Sequence, residues 1–170
     1  MLQIAICDDI PAYQQIIQSE IEKVLKLSHK ITFFPTGKEF LEKLSEGKCP
    51  YQIVFMDIDF GTENISGISI AKKISAVNPM TQIIFISQYL EFASDVYETA
   101  HVYFIIKNRL SELLGKALNT ALSKLSEVQK QHLYFRTKQG LQKVDIHKIW
   151  YMEKNLRNTI LFTASEIFQT

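Results

Sequence analysis

Several side chains capable of chemistry recur at one kind of place in this sequence. Asp8 and Asp9 close the apolar run Leu2–Cys7, and Asp57 closes the run Gln52–Met56, with Asp59 two residues later. Ser87 follows Gln82–Ile86, and Lys107 follows Val102–Ile106. Each run has the length of a buried strand. Open α/β sheets bind ligands beyond the carboxyl ends of their strands, so the acids, the hydroxyl and the ammonium would meet on one rim. Two carboxylates about 5 Å apart repel by roughly 3 kcal/mol at an effective dielectric near 20. Three on one rim need a counter-charge. Lys107 supplies one positive charge, and a divalent cation would supply the rest. All-oxygen donors favour Mg²⁺ over a softer metal. A hydroxyl and an ammonium around such an ion suit phosphoryl transfer, which needs positioning and charge neutralisation. Asp57 would then be the nucleophile, forming an aspartyl-phosphate.

Each residue also has a plainer reading. Asp8 or Asp9 could cap the next helix. Asp57 could be an ordinary acid at a strand end, Ser87 a turn residue, and Lys107 a solvated charge. The combination argues for a site, because every member falls at the end of a strand.

The elements that must position these groups alternate along the chain. Pro11 suits a first helical turn, and Ile16, Ile17, Ile21, Val24 and Leu25 follow at helical spacing. Ile31–Phe34 reads as a strand, and Phe40, Leu41 and Leu44 mark a short helix. The sequence predicts a polar loop from Gly61 to Gly67 and a helix from Ile68 to Val77, stopped by Asn78-Pro79. A helix is expected over Leu90–Ala100, and a long amphipathic one runs from Leu110 to Val128. Strands alternating with helices predict an α/β fold with a doubly wound, five-stranded parallel sheet. After about Gln131 the pattern turns to period two: Leu133, Phe135 and Thr137 alternate with Tyr134, Arg136 and Lys138, and further β-rich runs follow. The predicted division is a first domain over 1–126, a linker over 127–131 and an all-β segment over 132–170.

Charge divides in a similar way. The net charge of +1 averages 8 Lys/Arg against 13 Asp/Glu in residues 1–106 with 11 against 5 in residues 107–170. Cys7 and Cys49 form neither a CxxC pair nor a dense framework, which argues against a disulfide scaffold or a structural zinc site. No apolar run reaches the roughly 18 residues of a membrane span. The amino terminus has no cationic leader. A cytoplasmic protein with reduced thiols is expected.

Asp8-Asp9, Phe55-Met56-Asp57, Ser87 and Lys107 together resemble the signature of the receiver domain of bacterial two-component response regulators. The resemblance covers about residues 1–126 and implies a flavodoxin-like receiver. It implies that Asp57 accepts phosphate from a sensor histidine kinase. It further implies that Asp8, Asp9, Asp57 and the main-chain carbonyl of Asp59 hold Mg²⁺, while Ser87 and Lys107 contact the phosphoryl group. Phe104 falls where the family carries its switch aromatic, although it also reads as a core residue of strand five. The implied dimer or output surface is the face formed by the predicted helix over 90–100, strand five and the helix that follows. A receiver promotes only its own phosphorylation and dephosphorylation and is not an enzyme acting on other substrates. Two features depart from the family: Asn108 follows the lysine where Pro, often in a cis bond, is usual, and the loop after Asp57 lacks its usual Pro and is longer.

Asp57-Ile58-Asp59 also resembles the Asp-x-Asp motif of haloacid-dehalogenase-type phosphohydrolases. Order argues against that reading, because here the acid pair comes first and no Asp pair follows Lys107. A degenerate receiver acting only as a protein-interaction module is the other alternative, and the complete set of acids and lysine argues against it.

The stretch Asp145-Ile146, Ile149, Tyr151, Glu153 and the basic segment after it resemble the start of a LytTR-type DNA-binding domain. By that resemblance Lys154, Asn155, Arg157 and Asn158 lie in a groove-facing loop; they also suit a solvated hairpin turn. Residues 132–170 correspond only to the first part of such a domain, and segments under about 40 residues rarely fold alone. DNA binding is therefore expected only where the output domain is complete. Residues 127–170 carry 7 Lys/Arg and 4 Asp/Glu, a weak basic footprint.

Overall fold

The computed structural model describes residues 1–44, 49–61, 65–130, 132–156 and 158–169. The chain divides into two compact units, Met1–Leu125 and Ser126–Thr170.

The first unit is built on five parallel strands, β1 (Leu2–Cys7), β2 (His29–Phe34), β3 (Ile53–Asp57), β4 (Gln82–Ser87) and β5 (Tyr103–Ile106). Their order in the sheet is β2-β1-β3-β4-β5. Four α-helices accompany them: α1 (Pro11–Val24), α2 (Gly37–Leu44), α3 (Gly67–Val77) and α4 (Leu110–Lys130). Side chains alternate across a strand, and here the alternation sorts them into two cores. Ile4, Ile6, Ile53, Phe55, Ile84, Ile86 and Ile105 pack with Ile17 and Ile21 of α1 and with Leu114, Leu118 and Ala121 of α4. Ala5, Cys7, Val54, Met56, Ile83 and Phe85 point the other way, onto Phe40 and Leu44 of α2 and Ile70, Ala71 and Ile74 of α3. The central strands β3 and β4 are buried along their whole length, as a sheet covered on both faces requires. This is the doubly wound α/β architecture.

One expected element differs. Leu90–Ala100 is not an α-helix: it forms two short 3₁₀ turns, Leu90–Ala93 and Asp95–Glu98. Side-chain hydroxyls explain the change. The Ser94 hydroxyl donates to the Glu91 carbonyl and the Thr99 hydroxyl to the Val96 carbonyl, which offers the backbone an alternative to the helical ladder. Of these two turns only Val96 is buried, so packing does not impose a helix either. The proposed output face accordingly carries turns where a fourth sheet-flanking helix was expected. The expected linker also differs, because residues 127–130 continue α4 and the division between units falls within that helix. Gln131 lies outside the described residues.

The second unit pairs β6 (His132–Thr137) with β7 (Gly140–Asp145), both antiparallel. A second sheet, ordered β10-β9-β8, joins β8 (Ile149–Asn155), β9 (Asn158–Thr163) and β10 (Ile167–Gln169). Phe135, Val144 and Leu161 form its buried core, with Leu133, Ile149 and Phe168 packed on them.

Burial predicts unequal sensitivity. Phe55→Ala, in a fully buried site of the central sheet, is expected to cost about 3–5 kcal/mol in urea unfolding. Trp150→Ala, at a side chain 72% exposed, is expected to change stability by less than about 0.5 kcal/mol. Equal losses would contradict this assignment of the cores.

Candidate functional site

The parallel strands deliver their carboxyl ends to one rim. Cys7 of β1 and Met56 of β3 lie opposite each other, so Asp8 and Asp57 leave the sheet side by side. Ser87 ends β4, and Lys107 follows β5. Asp9, Asp57, Asp59, Ser87 and Lys107 line one cleft of about 180 Å³, room for a phosphoryl group and several waters.

Lys107 organises the floor of this cleft. Its side chain is 2% exposed. The ammonium donates a 2.6 Å hydrogen bond to Asp57 Oδ2 and stands 2.8 Å from Asp8 Oδ2 as an ion pair. Asp57 Oδ1 accepts from the Ile58 and Asp59 amides at 2.7 and 3.3 Å. Asp8 Oδ1 accepts from the Ile10 amide at 2.9 Å. The helix after β1 is thus held by Asp8, while Asp9 is half-buried and lines the cleft. Ser87 is buried, and its hydroxyl accepts from the Tyr89 amide at 3.1 Å.

Burial pushes the Asp57 carboxyl up to about 6, against the opposing pull of Lys107. Burial likewise raises Asp8, again opposed by Lys107. Burial alone would lower the Lys107 ammonium, but its hydrogen bond to Asp57 and its ion pair with Asp8 outweigh it and hold the group above its usual range. One cation therefore does not fully satisfy the acids. Asp8 Oδ2 is buried and accepts no well-directed hydrogen bond, despite its ion pair. Single carboxylate oxygens of Asp8, Asp9 and Asp57 lie within 4.8 Å of one another. An under-satisfied, all-oxygen cluster of this kind fits a hard divalent cation.

Asp59 lies on the cleft wall, but its carboxylate accepts from the Gly61 amide at 3.0 Å, and the residue bridges to Ser66. Phe104 is partly buried against the core that contains Phe85 and Val96. Lys107 opens a 3₁₀ turn, Lys107–Arg109, that leads directly into α4, and Asn108 sits within it. No cis peptide bond occurs among the described residues. Residues 62–64 of the lengthened loop lie outside the described residues.

Two positions escaped the sequence reading. A Cβ on Gly67 would stand 1.9 Å from the Asp57 carbonyl oxygen, so only glycine lets the start of α3 lie against the end of β3. Its place between a polar loop and an apolar helix was the available signal. Tyr13 places its ring centroid 4.1 Å from Lys107 Nζ, and nothing in the sequence announces that contact.

In the second unit, Lys154 and Asn155 end β8 and Asn158 begins β9, with Asn155 paired to Asn158. The loop expected over 154–158 is therefore largely strand, because pairing continues to Asn155 and Asn158. Arg157 lies outside the described residues.

Comparison with known proteins agrees with this architecture. TrrA of Thermotoga maritima, a response regulator protein solved in complex with Mg²⁺-BeF, is 26% identical, with a TM-score of 0.58, over 71% of this chain and 99% of that one. The response regulatory domain of mrkE from Klebsiella pneumoniae is 21% identical, with a TM-score of 0.64, over 74% and 99%. A receiver domain protein from Clostridium thermocellum is 18% identical, with a TM-score of 0.62, over 75% and 99%. No curated protein matches the chain. The fold and the acidic rim define a receiver-type α/β domain. Residues 4–119 match the response regulator receiver domain, and the chain belongs to that family, the class that serves two-component phosphorelay signalling. Among the described residues, no helix is long and apolar enough to cross a membrane.

The raised Asp57 carboxyl has a consequence for stability. An unfolded aspartate loses its proton near pH 4. Between about pH 4 and about 6 the folded protein holds a proton that the unfolded chain has lost. That contribution is complete below about pH 4 and lost as pH rises through about 6. Without divalent cation, the melting temperature is expected to show this fall, and Asp57→Asn should weaken it, leaving the part due to Asp8, while stabilising the protein at pH 7 by about 1–3 kcal/mol. A destabilised Asp57→Asn protein would contradict the charge assignment. Gly67→Ala is expected to destabilise by about 2–4 kcal/mol, because the clash is with backbone.

Proposed function

We propose that this protein is a phosphorylation-controlled response regulator whose Asp57 receives a phosphoryl group from the phosphohistidine of a sensor histidine kinase. The observation that carries this reading is the buried Lys107–Asp57 hydrogen bond beside the under-satisfied Asp8 carboxylate and the neighbouring Asp9. An Asp57 carboxylate oxygen attacks phosphorus and forms a P–O bond. The donor P–N bond breaks, and its electron pair leaves on the imidazole. The Ile58 and Asp59 amides orient the carboxylate, and Lys107 neutralises charge on the incoming oxygens. Ser87 lies across the cleft, where its hydroxyl can donate to a phosphoryl oxygen. Asp8, Asp9, Asp57 and the Asp59 carbonyl would hold Mg²⁺, which supplies neutralisation of the phosphoryl charge. The chain promotes only its own phosphorylation and dephosphorylation.

Phosphorylation would draw Ser87 and Lys107 toward the phosphoryl group and shift a two-state surface around β4, the turns after it, and β5 with Phe104. That surface is the proposed homodimer or output face. The all-β segment fits the first part of a LytTR-type DNA-binding domain. Asp145 caps the turn Ile146–Lys148 by accepting from the His147 amide at 2.9 Å, and Lys154, Asn155 and Asn158 are exposed at one hairpin end.

Incubation with acetyl phosphate and Mg²⁺ is expected to add one acid-labile phosphate at Asp57. EDTA or Asp57→Asn should abolish it, and an unchanged mass would end the phosphoacceptor reading. Sustained hydrolysis of a generic phosphomonoester, lost in Asp57→Asn, would instead favour a phosphohydrolase. For DNA, the weak positive excess and small core of the second unit predict salt-dependent binding without sequence preference, weaker than about 1 μM near physiological salt. A nanomolar, sequence-specific gel shift by the 170-residue chain would overturn that expectation.

A further inference from the structure

The ammonium of Lys107 has three N–H groups and almost no access to water. Two of its sides face carboxylates: Asp57 Oδ2 at 2.6 Å and Asp8 Oδ2 at 2.8 Å. A third neighbour is the face of Tyr13, whose ring centroid lies 4.1 Å from Nζ. An aromatic face attracts a cation through its quadrupole, and the attraction grows where water is excluded. The Tyr13 contact is an uncharged interaction at this ammonium.

The ring is held where it can do this. Pro11 opens α1, and the amides of Tyr13 and Gln14 donate to the Ile10 carbonyl at 3.0 and 3.3 Å. The Gln14 side-chain amide donates to the Asp8 carbonyl at 2.7 Å. The first turn of α1 is thus tied to the end of β1, the strand whose next residue, Asp8, contacts Lys107. Tyr13 is itself only partly buried, so it closes the ammonium from the solvent side.

We infer that Tyr13 is a positioning residue for Lys107, its ring face keeping the ammonium seated against Asp57 and Asp8, ready to meet a phosphoryl oxygen at Asp57. This inference rests on the phosphoacceptor reading of the same site. A carboxylate and an incoming phosphoryl oxygen compete for the two polar sides of the ammonium, whereas the ring does not. Tyr13 can therefore keep its contact while Lys107 exchanges one anion for the other. The contact uses the ring face and not the hydroxyl, so phenylalanine should replace tyrosine and an aliphatic residue should not.

The test compares wild type, Tyr13→Phe and Tyr13→Leu in the full 170-residue chain. The phosphorylation rate with acetyl phosphate and saturating Mg²⁺ is measured by phosphate-affinity gel. Mg²⁺ affinity is measured by calorimetry. Tyr13→Leu is expected to phosphorylate about fivefold to thirtyfold more slowly, and Tyr13→Phe within about twofold of wild type. Mg²⁺ affinity should stay within about twofold in both, because the ring touches the ammonium and not the carboxylates. An unchanged rate in Tyr13→Leu, or an equal loss in Tyr13→Phe, overturns the inference while leaving Asp57 as phosphoacceptor. A Tyr13→Leu protein that also loses Mg²⁺ affinity overturns it too, since the ring would then support the whole site. If the wild type itself takes up no phosphate, the reading of the site fails and the inference fails with it.

Discussion

One ammonium shared by two buried carboxylates is the interaction on which the first unit depends. Removing any of the three from water costs several kcal/mol, and attraction repays that only with close geometry. The geometry is close on the Asp57 side, where a hydrogen bond joins the pair, and incomplete on the Asp8 side. Asp9 adds a third negative charge at the same rim. The cluster is left short of positive charge, so it fits a hard divalent cation at the rim.

The sheet order makes this cluster possible. Neighbouring strands lie about 4.8 Å apart, so a residue after β5 must reach across β4 to meet β3 and β1. A lysine stem is long enough to do so, and a serine at the end of β4 is small enough to leave it room. Gly67 acts in the same spirit on the other side, letting the start of α3 approach the Asp57 carbonyl. Both small residues serve the positioning of larger ones.

The two units differ in how they spend their apolar residues. The first buries them on both faces of its sheet and keeps its acids for the rim. The second has a much smaller core, and Trp150, Tyr151, Met152 and Leu156 are exposed on and beside an edge strand, where unpaired backbone also lies. A rigid sheet behind a charged rim suits reactive chemistry. A thin sheet with exposed aromatics suits association.

Most of the first unit was legible in the sequence because its signals are local. Short apolar runs, each ending in an acid, a hydroxyl or a lysine, specify buried parallel strands and a polar rim, and this alone identified Asp8, Asp9, Asp57, Ser87 and Lys107 as candidates. The segment over 90–100 has a composition that permits a helix, while Ser94 and Thr99 bond locally in a way that only the folded chain reveals. The end of α4 and the extent of β8 were misplaced because element ends depend on pairing partners distant in sequence. Tertiary structure alone decided that Asp8 is buried while Asp9 is only half-buried, that Gly67 has no room for a side chain, and that the Tyr13 ring lies over Lys107. Those outcomes depend on residues brought together from positions up to about a hundred apart, and no periodicity along the chain records such a meeting.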